Sequence, residues 1–229
     1  MSDLQPDLKA RILEAARDMP SPTRASTRAQ SWLVAPSGII VAASLFFAFH
    51  GLEHGEGRPA WFYLASTLGW AGVAALSLWG ALGRSGSATG RSRGVLWAIA
   101  IGTPALLFAM TFALGTIDPS VTSLYPERIG IKCLGLTVAA AAFPLVALLM
   151  VRRDSDAVHP LSTGAALGAA CGASAGVMVE MWCPVNELHH VALGHILPII
   201  ALSIIGAGLG ARMLSMRARA PARSGGGSS

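Results

Sequence analysis

Apolar and polar positions along this chain fall in blocks rather than alternating. Six apolar runs, at about 31–50, 61–82, 95–117, 129–151, 161–182 and 191–211, are divided by short polar connections. Each is long enough to cross about 30 Å of hydrocarbon at ~1.5 Å of rise per residue. Hydrocarbon offers no partner to a backbone N–H or C=O, so runs of this length predict helices that satisfy their own hydrogen bonds. The short connections make consecutive helices antiparallel neighbours. The expected fold is all-α: a polytopic membrane protein whose six-helix transmembrane bundle occupies residues 31–212.

Residues 1–30 have a different pattern. Pro6 suits the first turn of a helix, Asp7 favours its positive end and Pro20 stops it, so one short helix is predicted over Pro6–Met19. Leu8, Ile12, Ala16 and Met19 form a narrow apolar stripe on it, while Lys9, Arg11, Glu14, Arg17 and Asp18 occupy the rest of its surface. A helix of about 14 residues is marginal alone in water, so the stripe requires a cover, either a partner protein or the lipid surface. Ser21 to Arg28 reads as a flexible basic linker. Residues 213–229, ending in a Gly/Ser-rich stretch, read as a disordered tail.

Composition strengthens the membrane reading: 53% of the 229 residues are hydrophobic and 13% charged, against about 25% charged in a soluble domain. The net charge of +5 would raise nucleic acid as a partner in a soluble protein. Here the threading accounts for it. Fourteen of the seventeen Lys and Arg residues fall on one side of the bundle, leaving Arg58, Arg128 and Lys132 on the other. Basic residues concentrate in cytoplasmic loops, so both termini are placed in the cytoplasm of a multi-pass inner-membrane protein. No groove-reading motif or aromatic–basic interleaving is present, and no direct contact with nucleic acid is expected. The first run lacks a small-residue cleavage site after it and reads as an uncleaved span.

Candidate chemistry gathers at the outer face. The stretch from Trp182 to His190 is a short polar hairpin between the last two runs, with His195 and Pro198 just beyond it, and Cys133 lies fifty positions before Cys183 at the start of the fourth run. The threading puts both thiols at one depth on the oxidising side. Two chemistries fit. Thiolate with imidazole is a donor set for copper(I), zinc or cadmium; paired cysteines in an oxidising compartment can instead cycle between dithiol and disulfide. The candidate ligands are Cys133, Cys183 and His195, with His189, His190 and Glu180 as further donors. His195 and Glu180 lie inside spans, where a titratable group is costly and often functional. Glu180 shares a helix face with Cys183 at i, i+3. Against these stand plainer roles: a small buried hydrophobe for either cysteine and an interfacial side chain for His189. There is no CxxC, no HExxH and no closed four-ligand spacing, and span order does not fix whether Cys133 and Cys183 touch. Cys171, among Gly and Ala in mid-span, reads as core. Gly164, Gly168, Gly172, Gly206 and Gly210 read as sites of close helix approach.

The overall pattern resembles the NrsF family of integral membrane anti-sigma factors. The resemblance rests on a short N-terminal segment before six spans, Cys133 opening the fourth span and Val151-Arg152-Arg153 closing it. It continues with Cys183-Pro184 after a Gly/Ala-rich fifth span, then His190-Val191, His195-Ile196-Leu197-Pro198 and Gly208-Leu209-Gly210-Ala211-Arg212. It departs at Ala192-Leu193-Gly194, where the family places an aromatic beside the histidine.

The resemblance implies a regulator, not an enzyme, that sequesters an extracytoplasmic-function sigma factor through residues 1–30, with Leu8, Ile12, Ala16 and Met19 as the binding face. It also implies periplasmic sensing of heavy metal or oxidant by Cys133 and Cys183, with His195 matching the family's histidine in the last span. No required cofactor and no small-molecule substrate are expected; a heavy-metal ion would act transiently as the signal. A metal carrier using the same Cys/His cluster is the alternative. It calls for a second ligand set on the inner side, where the loops offer only His159.

Overall fold

The computed structural model describes residues 24–50, 58–83, 91–118, 130–153 and 157–215. They form α1 (Arg24–His50), α2 (Ala60–Leu82), α3 (Arg93–Ile117), α4 (Ile131–Arg152), α5 (Pro160–Trp182), a short α6 (Leu188–Val191), a π-helical turn (Ala192–Ile196) and α7 (Leu197–Met213). No strand occurs among the described residues. Six segments are long and apolar enough to cross a membrane, the last running unbroken through α6, the π turn and α7. The fold class and the six spans are as the apolar blocks predict.

One boundary is corrected. The stretch ending at Arg28 was expected to be a linker, yet α1 already begins at Arg24. Arg, Ala and Gln are good helix formers, and adding a turn to an existing helix costs far less than nucleating one. The predicted stripe of Leu8, Ile12, Ala16 and Met19 lies outside the described residues.

Helix α5 is the axis of the bundle. Its most apolar window is 94% buried, against 28–50% for the other spans, and α7, α2, α3 and α4 all pack on it, while α1 is attached mainly through α4. Its sequence explains why. Lipid is as apolar as leucine, so helices in a membrane associate by close packing rather than by hiding apolar surface, and Gly, Ala and Ser permit the closest approach. Along α5, Gly164 lies against the backbone of Gly206, and Gly168 against the backbone of Leu202, both on the last span. The small-residue spacing in the sequence is thus helix-to-helix contact. Pro104 and Pro144 remain inside their helices.

The two ends of the bundle differ in chemistry. At one end Arg152 Nη1 donates to the Ala81 carbonyl oxygen at 3.2 Å and the Arg91 guanidinium sits 5.4 Å from the Trp79 ring. The opposite end, where α4 begins and α5 finishes, holds Cys133, Cys183, His189, His190 and His195.

Candidate functional site

Three local features build this end. Helix α4 starts after Gly130, whose φ of 81° lies in the left-handed region that a side chain disfavours. Gly130 also lies against the last span: a Cβ there would stand 2.9 Å from the His190 carbonyl oxygen and 3.1 Å from Gly194 Cα. The relation is reciprocal, since a Cβ on Gly194 would meet the Gly130 carbonyl oxygen at 2.9 Å and Cys133 Cβ at 3.1 Å. Two glycines facing each other bring Cys133, in the first turn of α4, hard against the π turn.

Cys183 is placed by the proline after it. A residue before proline is pushed out of helical geometry, and Cys183 is extended (φ −84°, ψ 121°) while its N–H still closes the last turn of α5 on Val179. The thiol therefore stands at the helix end, facing the chain as it returns.

The two histidines are aligned by the π turn. At about 100° per residue, an α-helix sets residues five apart roughly 140° away from each other. The i→i+5 closure of a π turn removes most of that offset; here the Leu197 N–H reaches the Ala192 carbonyl. Pro198, lacking an N–H and pressing on the preceding turn, favours the wider coil. His190 and His195 end with ring centroids 5.6 Å apart.

The result is a compact buried cluster. Cys133 Sγ donates toward Cys183 Sγ at 3.5 Å, and His190 Nε2 lies 3.5 Å from the first sulfur and 3.2 Å from the second. One donor atom each from Cys133, Cys183, His190 and His195 falls within 4.8 Å of the other three. All four residues are buried, and both cysteines are free thiols. Cys183 lies just past the end of α5, and the hydrogen bond from Cys133 holds its thiol below the ordinary range. His190 and His195 add to that effect against the opposing effect of burial.

Glu180 stands behind the cluster. Its Oε1 accepts from Ser66 Oγ at 2.6 Å and from Arg58 Nη1 at 3.2 Å, and its Oε2 lies 3.4 Å from His195 Nδ1. Arg58 Nε also donates to the Pro184 carbonyl oxygen at 3.1 Å, tying the turn after Cys183 to the start of α2. The carboxylate thus stands beside one histidine of the cluster. His189 stands apart: its side chain is half exposed and its Nδ1 lies 3.9 Å from Glu187. Cys171 belongs to a separate apolar cluster with Leu148 and Leu167.

Arg58, Ser66 and the Gly130–Gly194 pair were not singled out in the sequence. Arg58 and Ser66 lie 122 and 114 positions from Glu180, and no local pattern announces such a pairing. Gly194 did carry a signal, as the small residue where an aromatic was expected. A direct test of the glycine contact follows from its geometry. Gly194→Val should push Cys133 away and slow disulfide formation between Cys133 and Cys183 under a mild oxidant. The readout is alkylation of the remaining thiols against time; an unchanged rate would show that the contact does not set the thiol distance.

Fold and site together define a helical membrane protein with a dithiol–diimidazole cluster sealed into one end of its bundle. The chain matches the family described as NrsF, negative regulator of sigma F, over residues 15–215. It belongs to that family, and negative regulation of a sigma factor is the activity the family implies. No curated protein and no solved structure matches it.

Proposed function

We propose that this protein is an inner-membrane anti-sigma factor that holds an extracytoplasmic-function sigma factor through its cytoplasmic N-terminal segment. Heavy metal or oxidant, registered by Cys133 and Cys183 on the periplasmic side, weakens that hold. The observation that carries the sensing half is the thiol pair itself: two free sulfurs, one on α4 and one just past the end of α5, 3.5 Å apart and buried. A disulfide needs a separation of about 2.05 Å, so a small approach of α4 and the end of α5 suffices for oxidation. Either a bond or a shared ion would draw the two helices together and bias their packing. Signal then reaches the other face only through two packings with different affinity for the ligand.

The orientation rests on the basic residues. Arg91, Arg93, Arg152, Arg153 and Arg212 belong to the end opposite the cysteines, which supports a cytoplasmic assignment for that end and for both termini. In the N-terminal segment, burying Leu8, Ile12, Ala16 and Met19 against a sigma factor would contribute several kcal/mol before ordering costs, enough for a specific but releasable contact. The full-length protein in detergent should capture one sigma factor from its own host, and the Leu8→Asp/Ile12→Asp variant should not. Equal capture by both would remove the proposed binding face, and no capture by either would remove the anti-sigma reading of this segment.

A further inference from the structure

The geometry points to a closed four-coordinate site for a divalent d10 metal ion of the zinc type, made by Cys133, Cys183, His190 and His195, with Glu180 as the carboxylate that positions His195. This deepens the sensing reading above and rests on it only for the regulatory consequence; the site itself stands on distances and charge.

The distances come first. In a tetrahedral site with Zn–S about 2.3 Å and Zn–N about 2.0 Å, the donors stand roughly 3.3–3.8 Å from one another. The three donor pairs resolved here are separated by 3.5, 3.5 and 3.2 Å, and all four donors fall within 4.8 Å. Cys133, Cys183 and His190 already have the spacing of a coordination shell, and the His195 donor within 4.8 Å completes an S2N2 set that suits zinc.

The second observation is independent. His195 is wholly buried, its Nδ1 has Glu180 Oε2 at 3.4 Å, and its Nε2 meets no hydrogen-bond partner among the described residues. Burying a polar nitrogen without a partner is expensive, and such orphans call for an ion, a water or a ligand. His195 Nδ1 is turned to Glu180 Oε2 at 3.4 Å, which leaves Nε2 for the cluster. A metal-ligating histidine ordinarily gives its other N–H to a carboxylate, which fixes the tautomer and raises the basicity of the ligating nitrogen. Glu180 occupies that place, and Arg58 and Ser66 fix the carboxylate in turn.

Charge selects the class of ion. Two thiolates cancel a divalent cation, the two imidazoles are neutral ligands, and Glu180 is matched by Arg58. The four ligands, the ion and the Glu180–Arg58 pair then sum to zero, which limits the cost of burying them, and Lys132 stands over the Trp182 ring at 4.5 Å as a further cation beside Cys133. A monovalent ion on the same two thiolates would leave one negative charge buried. Binding releases the protons the two sulfurs carry, replaces the hydrogen bonds among Cys133, Cys183 and His190, and breaks no other covalent bond.

The test uses the full-length protein, reduced, stripped with a chelator and held in detergent. Titration with zinc is expected to saturate at one ion per chain. Cobalt(II) is expected to give the intense visible bands of a four-coordinate site together with sulfur-to-metal charge transfer. Both readouts come from the native chain and need no variant. His195→Ala and Cys133→Ser should weaken zinc binding further than Glu180→Gln, which should lower affinity about 10–100-fold while keeping one ion per chain. Glu180→Gln should also shift the cobalt bands, which a purely structural role would not do, and His189→Ala should change nothing. Absence of a stoichiometric ion on the reduced protein, a pale octahedral cobalt spectrum, or full zinc affinity in His195→Ala would each overturn the site.

A reporter of sigma-dependent transcription in the host separates this from the sensing reading. If zinc binds as described but Cys133→Ser leaves the response to metal and oxidant intact, the sensing reading falls and the site stands. If the response needs Cys133 but the purified protein binds no ion, the site falls and thiol sensing stands.

Discussion

Arg58→Met is expected to lower the stability of the folded bundle by about 3–5 kcal/mol, the usual cost of leaving one partner of a buried ion pair alone. Arg58 and Glu180 are 3.2 Å apart with both side chains 1% exposed, so the carboxylate loses its charged partner in a buried position. The arginine also supplies the donor for the Pro184 carbonyl oxygen, and among the described residues Ser66 is left as the one hydrogen-bond donor to the carboxylate. Because the pair costs desolvation in the first place, replacing both ends with apolar side chains should be far milder than replacing one. Thermal unfolding of the purified protein, read for Arg58→Met, Glu180→Met and the double variant, checks this directly. Recovery of most of the lost Tm in the double variant is the expected result. A loss of under about 1 kcal/mol in Arg58→Met would mean that the pair behaves like a solvated surface contact.

The second large effect lies at the axis of the bundle. Gly168→Val should cost more than about 4 kcal/mol, the range reserved for substitutions that the surroundings cannot absorb. A Cβ at Gly168 would run into the Leu202 carbonyl group and stand 3.0 Å from Ser203 Cα. Those are backbone atoms of the helix packed most closely on α5, so the two helices must separate along their length. Gly208→Ala on α7 provides the contrast: a Cβ there meets nothing within 4 Å, and alanine favours a helix by about 0.8–1.0 kcal/mol over glycine. Yield of monodisperse protein and Tm in detergent should fall sharply for the first and hold or rise for the second. Similar behaviour of the two variants would mean that the α5–α7 contact does not hold the bundle together.

The spans were readable because the bilayer imposes a simple rule on the backbone, and twenty-odd apolar residues have few other uses. The last span shows the limit: expected at about 191–211, it runs from Leu188 to Met213, since polar residues in the final turns of a membrane helix blur the edge of an apolar block. The meeting of Cys133 and Cys183 was left open by the sequence and is decided by Gly130 and Gly194, which let α4 and the last span touch. The join of His190 with His195 was harder to read. Five-residue spacing argues against a shared face on a regular α-helix, and the π turn that overrides it has no sequence signature beyond Pro198. Glu180 was noticed for the cost of a carboxylate inside a span, but its partner Arg58 was visible only as a stray basic residue on the wrong side.

The position of α5 has a bearing on how the chain matures. A helix made largely of Gly, Ala and Ser has little to hold it in lipid by itself, and its closest neighbour, α7, is synthesised after it. The two thiols therefore leave the ribosome before the histidines that cover them, on helices whose final alignment waits for the last span to dock. Until then Cys133 and Cys183 lack the cover that His190 and His195 give them in the finished bundle. Sealing of the thiol pocket and completion of the bundle are one event, so an immature chain is chemically distinguishable from a finished one.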